Sequence, residues 1–182
     1  IEVCKYNRQL YDLGIDISVS INISSSVILN ESFFSMIEDA LQISRIKPEK
    51  LDIEITESTL MKDVEQVNAV LEKIKHIGVT ITVDDFGTGY SSLSYLKKFF
   101  VNRLKIDKAF ITGLPESHDD LALVNAILAM AKSLNILVTA EGVETAMQFE
   151  HLTDLNCEEI QGFYISEPMP FEAFCAFCKT WR

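Results

Sequence analysis

The stretch VTITVDDFGTG, residues 79–89, decides the fold. Val79, Ile81 and Val83 alternate with Thr80, Thr82 and Asp84. Successive side chains of a strand point to opposite faces, so one face here is apolar and the other turns acidic at its C-terminal end. The pattern recurs. In ISVSINIS, residues 17–24, Ile17, Val19, Ile21 and Ile23 oppose Ser18, Ser20, Asn22 and Ser24. In LDIEIT, residues 51–56, Ile53 and Ile55 oppose Asp52, Glu54 and Thr56. In RLKID, residues 103–107, Leu104 and Ile106 oppose Arg103, Lys105 and Asp107.

An antiparallel sheet with one wet face alternates in the same way, and ordinary parallel strands are apolar on both faces. The connecting segments favour parallel strands. Strand-like stretches at about 17–23, 51–56, 79–84, 103–107, 136–140 and 159–165 are separated by helical periodicity. The helical segments run over about 31–43, 63–76, 91–98, 119–134, 145–153 and 171–181, after an opening helix over 1–12 that stops at Gly14. Ser32, Asp63, Ser91 and Thr145 suit helix starts, and Gly78 and Asn135 suit helix ends. This α-(βα)6 order demands a parallel sheet covered by helices, either a doubly wound open sheet or a (β/α) barrel. A full barrel takes eight units in about 250 residues. Six units in 182 residues match three quarters of one. The opening helix has no strand before it, and the chain begins at Ile1 without Met, so the expectation is a piece of a longer protein whose missing part is N-terminal.

Apolar residues make up 48% of the chain, enough for a sizeable core and too many for a disordered one. The net charge of −11 disfavours polymeric nucleic acid and anionic membrane surfaces as partners. A small anion is still possible where metal ions or a few cations neutralise it. No run approaches the roughly 20 apolar residues of a membrane span. No signal peptide is present, so a cytoplasmic location is expected. Cys175 and Cys178 form a C-x-x-C spacing, but no second Cys or His pair follows. Free thiols are therefore expected for these and for Cys4 and Cys157, rather than a zinc site.

Asn22, Glu54, Glu57, Asp84, Asp85, Lys105, Asp107, Glu141 and Gln161 all fall at or near the C-terminal ends of these strands. In a barrel those ends share one rim, where active sites are built. Six of the nine are carboxylates, which repel unless cations sit among them. Oxygen ligands without histidine suit hard ions such as Mg²⁺ or Mn²⁺. His76, His118 and His151 lie in helical or connecting segments. The sharpest pair is Asp84-Asp85, where a turn into Phe86-Gly87-Thr88-Gly89 would aim both carboxylates at one site and let one bridge two ions. Lys105 and Asp107 share a face, which fits either an ion pair or a lysine that steadies transferred charge. Glu141 fits a metal ligand or a general base.

DDFGTGYSSLSYL at 84–96, LDIEITES at 51–58, LKIDKAFI at 104–111, AEGVET at 140–145 and QGFYISEPMP at 161–170 resemble the EAL-domain family of bacterial phosphodiesterases. The resemblance covers residues 1–182, as an EAL domain lacking its N-terminal strands and the Glu-Ala-Leu signature. It implies a modified (β/α)8 TIM-type barrel, with about six of eight βα units present. It also implies cyclic di-GMP as the partner, opened to linear pGpG by two Mg²⁺ or Mn²⁺ ions through in-line attack of metal-activated hydroxide on one bridging phosphate. By the resemblance, Asn22, Glu54, Asp84, Asp85 and Asp107 serve the metals. Lys105, Glu141 and Gln161 are catalytic, and Glu57 steadies the loop after the Asp pair. The missing signature takes away one metal ligand and a substrate-binding arginine, and Glu167 stands where the family commonly has a basic residue. A homodimer is expected, as are sensory or GGDEF modules upstream in the parent. The alternative is a degenerate EAL domain that senses cyclic di-GMP or acts as an interaction module without hydrolysing it.

Overall fold

A computed structural model describes residues 1–89, 96 and 98–180 of the chain. Six strands form one sheet: β1 (Val19–Asn22), β2 (Leu51–Thr56), β3 (Thr80–Phe86), β4 (Arg103–Ile106), β5 (Leu137–Ala140) and β6 (Glu159–Ile160). Their spatial order is their chain order, and all five ladders are parallel. The antiparallel reading of the alternation is thereby excluded. So is a doubly wound sheet, whose strand order reverses at a switch point. A sheet laid down strand by strand in one direction is the winding of a (β/α) barrel.

Among the described residues the helices are α1 (Glu2–Asp12), α2 (Ser25–Ile28), α3 (Phe33–Ser44), α4 (Glu57–Lys62), α5 (Val64–His76), α6 (Lys108–Ile111), α7 (His118–Leu134), α8 (Ala146–Asp154) and α9 (Phe171–Thr180). A 3₁₀ turn at Pro48–Lys50 leads into β2. Local chemistry fixes several ends. Asp63 caps α5 by accepting from the Gln66 N–H at 3.1 Å. Thr145 and Gln148 form a capping box on α8. Asn135 closes α7 in the left-handed region at φ 54°. The helix expected over 91–98, its Ser91 start and residue 181 of the last expected helix lie outside the described residues, except Leu96 and Lys98.

The apolar strand face packs under the helices. Ile53, Ile55, Ile81, Val83, Leu104 and Ile106 are at most 1% exposed, and they meet Leu71 and Ile74 of α5 and Val124 and Ala131 of α7 in one core. Each such side chain contributes about 1.5–3 kcal/mol on burial. The opposite face is polar, and it too is buried at Asp52, Glu54, Thr82, Lys105 and Thr139. Among the described residues, no helix is long and apolar enough to cross a membrane.

Three expected strand limits are corrected, and the first is β3, which runs on to Phe86 instead of ending at residue 84. β1 ladders only over 19–22, not 17–23. The stretch expected as a strand over 159–165 pairs only at Glu159 and Ile160. Beyond them the Val143 N–H donates to the Gln161 carbonyl at 3.1 Å, and the Tyr164 N–H donates to the Val143 carbonyl at 3.0 Å. Gly162 is pressed against the Val143 backbone so closely that a Cβ would collide with it. The chain therefore turns, and Ile165 and Ser166 donate back to the Gly162 carbonyl. The short helices α2, α4 and α6 are too brief for helical periodicity to show.

Candidate active site

Asp84 and Asp85 are consecutive, yet both serve one site. The reason is a β-bulge. Val83 pairs with Leu104 and Phe86 with Ile106, so β3 spends one residue more than β4 over the same rise. Asp85 absorbs the extra length at φ 55°, a left-handed conformation that aspartate tolerates better than most residues. Its N–H donates to Asp84 Oδ1 at 3.1 Å. One carboxylate oxygen from each of Asp84, Asp85 and Glu141 then lies within 4.8 Å of the others. Glu57, only 3% exposed at the start of α4, accepts from the Gly87 N–H at 3.0 Å and pins the turn that follows. Gly87 itself sits at φ 100°, where a side chain would be strained. The other oxygen of Glu57, Oε1, is buried and has no partner among the described residues.

Lys105 stands among the carboxylates. Its Nζ lies 2.6 Å from Glu141 Oε1, 2.9 Å from Glu54 Oε2 and 3.5 Å from Asp84 Oδ1. Burial alone would favour the neutral amine, but hydrogen bonds and charge from Glu141 and Glu54 outweigh it and hold the ammonium above its ordinary pKa. The Glu141 carboxyl is raised, chiefly by burial, with Lys105 opposing and Asp84 and Glu54 adding to the rise. Asp85 is also raised, by burial first and then by the charges of Asp84 and Asp107.

The structure thus brings together Glu54, Asp84, Asp85, Lys105 and Glu141, with Asp107 beside Asp85 and Glu57 beneath the turn. Asp107 also caps α6, accepting from the Ala109 N–H at 2.7 Å. Asn22 is exposed at the end of β1 and pairs in register with Glu54. Gln161 follows β6 and lines a cavity of about 240 Å³ with Glu141, Gly142, Gly162 and Phe163. Lys108 and Glu144, which pair with each other, line it as well. Among the described residues, neither the Asn22 nor the Gln161 side chain hydrogen-bonds the cluster. His76, His118 and His151 belong to α5, α7 and α8 and are not part of it.

The donor set is all oxygen, and its carboxylates converge, which fits a hard divalent cation. Lys105 alone cannot balance the negative charge of Glu54, Asp84, Asp85 and Glu141.

Sequence reasoning passed over a polar layer one step below. Thr82 Oγ1 donates to both oxygens of Asp52, at 2.9 and 2.8 Å, and Ser20 Oγ donates to Asp52 Oδ2 at 3.1 Å. Arg103 pairs with Asp52 Oδ2 at 3.5 Å and with Glu159 Oε1 at 2.6 Å. Thr139 Oγ1 donates to Glu159 Oε2 at 2.9 Å. The signal was the period of two, which puts each of these residues on the same strand face as a candidate residue.

The EAL domain family matches residues 1–168. MucR of Pseudomonas aeruginosa, named a bifunctional diguanylate cyclase/cyclic di-GMP phosphodiesterase, is 42% identical over 96% of this chain and 26% of its own length. A solved PaMucR phosphodiesterase in complex with c-di-GMP superposes with a TM-score of 0.91 at 41% identity, covering 95% of this chain and 70% of that one. The EAL domain of Mycobacterium smegmatis DcpA gives a TM-score of 0.94 at 31% identity, covering 100% and 82%. Klebsiella pneumoniae BlrP1, solved as calcium and manganese complexes with cy-diGMP, gives 0.82 at 30% identity, covering 91% and 42%. The chain spans about a quarter of the length of the curated relatives it matches.

Proposed function

The chain belongs to the EAL-domain family, and we propose that its site binds cyclic di-GMP and hydrolyses one phosphodiester bond to give linear pGpG. The observation that carries this reading is the convergence of Asp84, Asp85 and Glu141 within 4.8 Å, beside a buried lysine, at the C-terminal ends of barrel strands. Mg²⁺ or Mn²⁺ held by Asp84 and Asp85, with Glu54, Asn22 and Asp107 around them and Glu141 alongside, would neutralise phosphodiester charge and acidify water.

The chain's own residues do the rest. Lys105 stays charged through its contacts with Glu141 and Glu54, and its N–H groups can stabilise negative charge building on the phosphoryl oxygens or orient the attacking water. Glu141, raised above an ordinary carboxyl, is suited to accept the proton that water gives up. Gln161 shares the cavity wall with Glu141 and can hold water there through its amide. Glu57 keeps the turn after Asp85 in place. Pinned groups need no reorganisation when charge develops, which is why rigid placement accelerates reaction.

The test is cyclic di-GMP turnover in Mg²⁺ or Mn²⁺, followed by chromatography of the products, with Asp84→Asn as the control. Formation of pGpG that vanishes in Asp84→Asn supports the reading. Tight nucleotide binding with no pGpG would instead make the domain a sensor.

A further inference from the structure

Every member of the polar layer lies two residues upstream of a candidate active-site residue. Ser20 precedes Asn22, Asp52 precedes Glu54, Thr82 precedes Asp84, Arg103 precedes Lys105, Thr139 precedes Glu141 and Glu159 precedes Gln161. The layer therefore forms the floor on which the site stands. Its ion pairs come from alternate strands: Arg103 of β4 reaches across β3 to Asp52 of β2, and across β5 to Glu159 of β6. Alternate strands also fill each side-chain layer of a (β/α) barrel.

At Asp52, which is buried, an apolar side chain would serve stability at least as well, because burying charge costs free energy that a well-packed apolar layer avoids, while Glu159 at the far end of the tie is 45% exposed. What ions and hydroxyls add is direction, since each bond fixes an angle as well as a distance. The need is greatest at β6, which ladders through only Glu159 and Ile160. Glu159 is gripped at both oxygens, by Arg103 at 2.6 Å and Thr139 at 2.9 Å.

We propose that Arg103 is a positioning residue for the hydrolytic site: by tying Asp52 of β2 to Glu159 of β6, it sets the spacing of Glu54, Lys105 and Gln161, each two residues further along its strand. The proposal rests on the phosphodiesterase reading for its kinetic arm, while its binding arm needs only Mn²⁺.

The experiment compares wild type with Arg103→Met below their melting temperatures. Free Mn²⁺ is counted by electron paramagnetic resonance, and kcat and KM are measured for cyclic di-GMP. Loss of a group that orients metal ligands typically costs about 10–100-fold in affinity or activity. Arg103→Met should therefore weaken Mn²⁺ binding by about tenfold or more and lower kcat similarly, with KM within about twofold. Arg103→Lys, which can keep one pair but not the fork, should recover part of both losses. If Arg103→Met does not fold, Glu159→Gln carries the test: it keeps an acceptor for Thr139, breaks the ion pair, and should weaken Mn²⁺ binding in the same direction. A folded Arg103→Met or Glu159→Gln with wild-type Mn²⁺ affinity overturns the proposal, even if its melting temperature has dropped. Wild-type protein that binds Mn²⁺ but forms no pGpG defeats the phosphodiesterase reading, and the Mn²⁺ comparison still decides the role of Arg103.

Discussion

The Lys105 ammonium donates to the Glu141 carboxylate at 2.6 Å, the shortest of its three carboxylate contacts. The pair joins the middle of β4 to the residue just past β5. Among the described residues it makes one cation answer for a crowd of acids, and the first prediction follows from that imbalance.

Replacing Lys105 with Met leaves Glu54, Asp84 and Glu141 facing one another with no counter-charge among the described residues. Removing one partner of a buried pair costs about 3–5 kcal/mol, and the open rim puts this case near the lower end. At about 2–4 °C per kcal/mol for a domain of this size, the metal-free melting temperature should fall by roughly 6–12 °C. Mn²⁺ should then raise the melting temperature of Lys105→Met more than that of wild type, since it replaces missing positive charge. Equal Mn²⁺ shifts in the two proteins, read by differential scanning fluorimetry, would show that Lys105 does not neutralise the cluster.

The pH dependence of metal-free stability has a definite sign. Asp85 and Glu141 are both raised above ordinary carboxyl values, with burial the largest cause in each. The folded chain therefore holds more protons than the unfolded chain from about pH 4 up to the raised values, and stability falls as pH rises through that window. Melting temperatures in EDTA should decline over this interval, and less steeply in Asp85→Asn. A slope unchanged by Asp85→Asn would exclude Asp85 as a source.

Glu57 accepts from the Gly87 N–H through a charged oxygen, a bond of the kind that contributes about 1.5–3 kcal/mol. Glu57→Ala should free that amide and speed its hydrogen exchange, while Glu57→Gln, which keeps an acceptor, should largely preserve protection. Exchange of the peptide covering residues 84–89, followed by mass spectrometry, checks this. Protection retained in Glu57→Ala would mean that the turn holds without Glu57.

Burial pushes the Cys157 thiol up to about 11, and the charges of Glu158 and Glu159 add to the rise. Its thiolate population at pH 8 should be on the order of a hundredfold below that of an ordinary cysteine. Iodoacetamide should therefore label Cys157 far more slowly in the native chain than in urea, as read by peptide mass spectrometry. Similar native and denatured rates would place this thiol in water.

The sequence made the parallel strands legible because each carries its own alternation and each helix its own period. VTITVDD shows this within seven residues. It also placed Glu54, Asp84, Lys105 and Glu141 on one rim, since a strand face and a strand end are local properties. What was not legible depends on a partner strand. The bulge at Asp84 and Asp85 exists only relative to β4. The brevity of β6 is set by Gly162 closing on Val143, nineteen residues away in the chain, and nothing in IQGFYIS announces it. Arg103, Asp52 and Glu159 could be seen as polar strand residues, but not as partners.

Because each strand lies beside the one that preceded it in the chain, every ladder joins strands that are neighbours in sequence. A nascent chain can add each βα unit to an edge already in place, keeping every loop closure short. The candidate residues emerge in the same sequence, Asn22 first and Gln161 last. The candidate residues of this chain therefore gather only when β6 docks, and a chain stopped after β3 would hold Asp84 and Asp85 without Lys105 and Glu141.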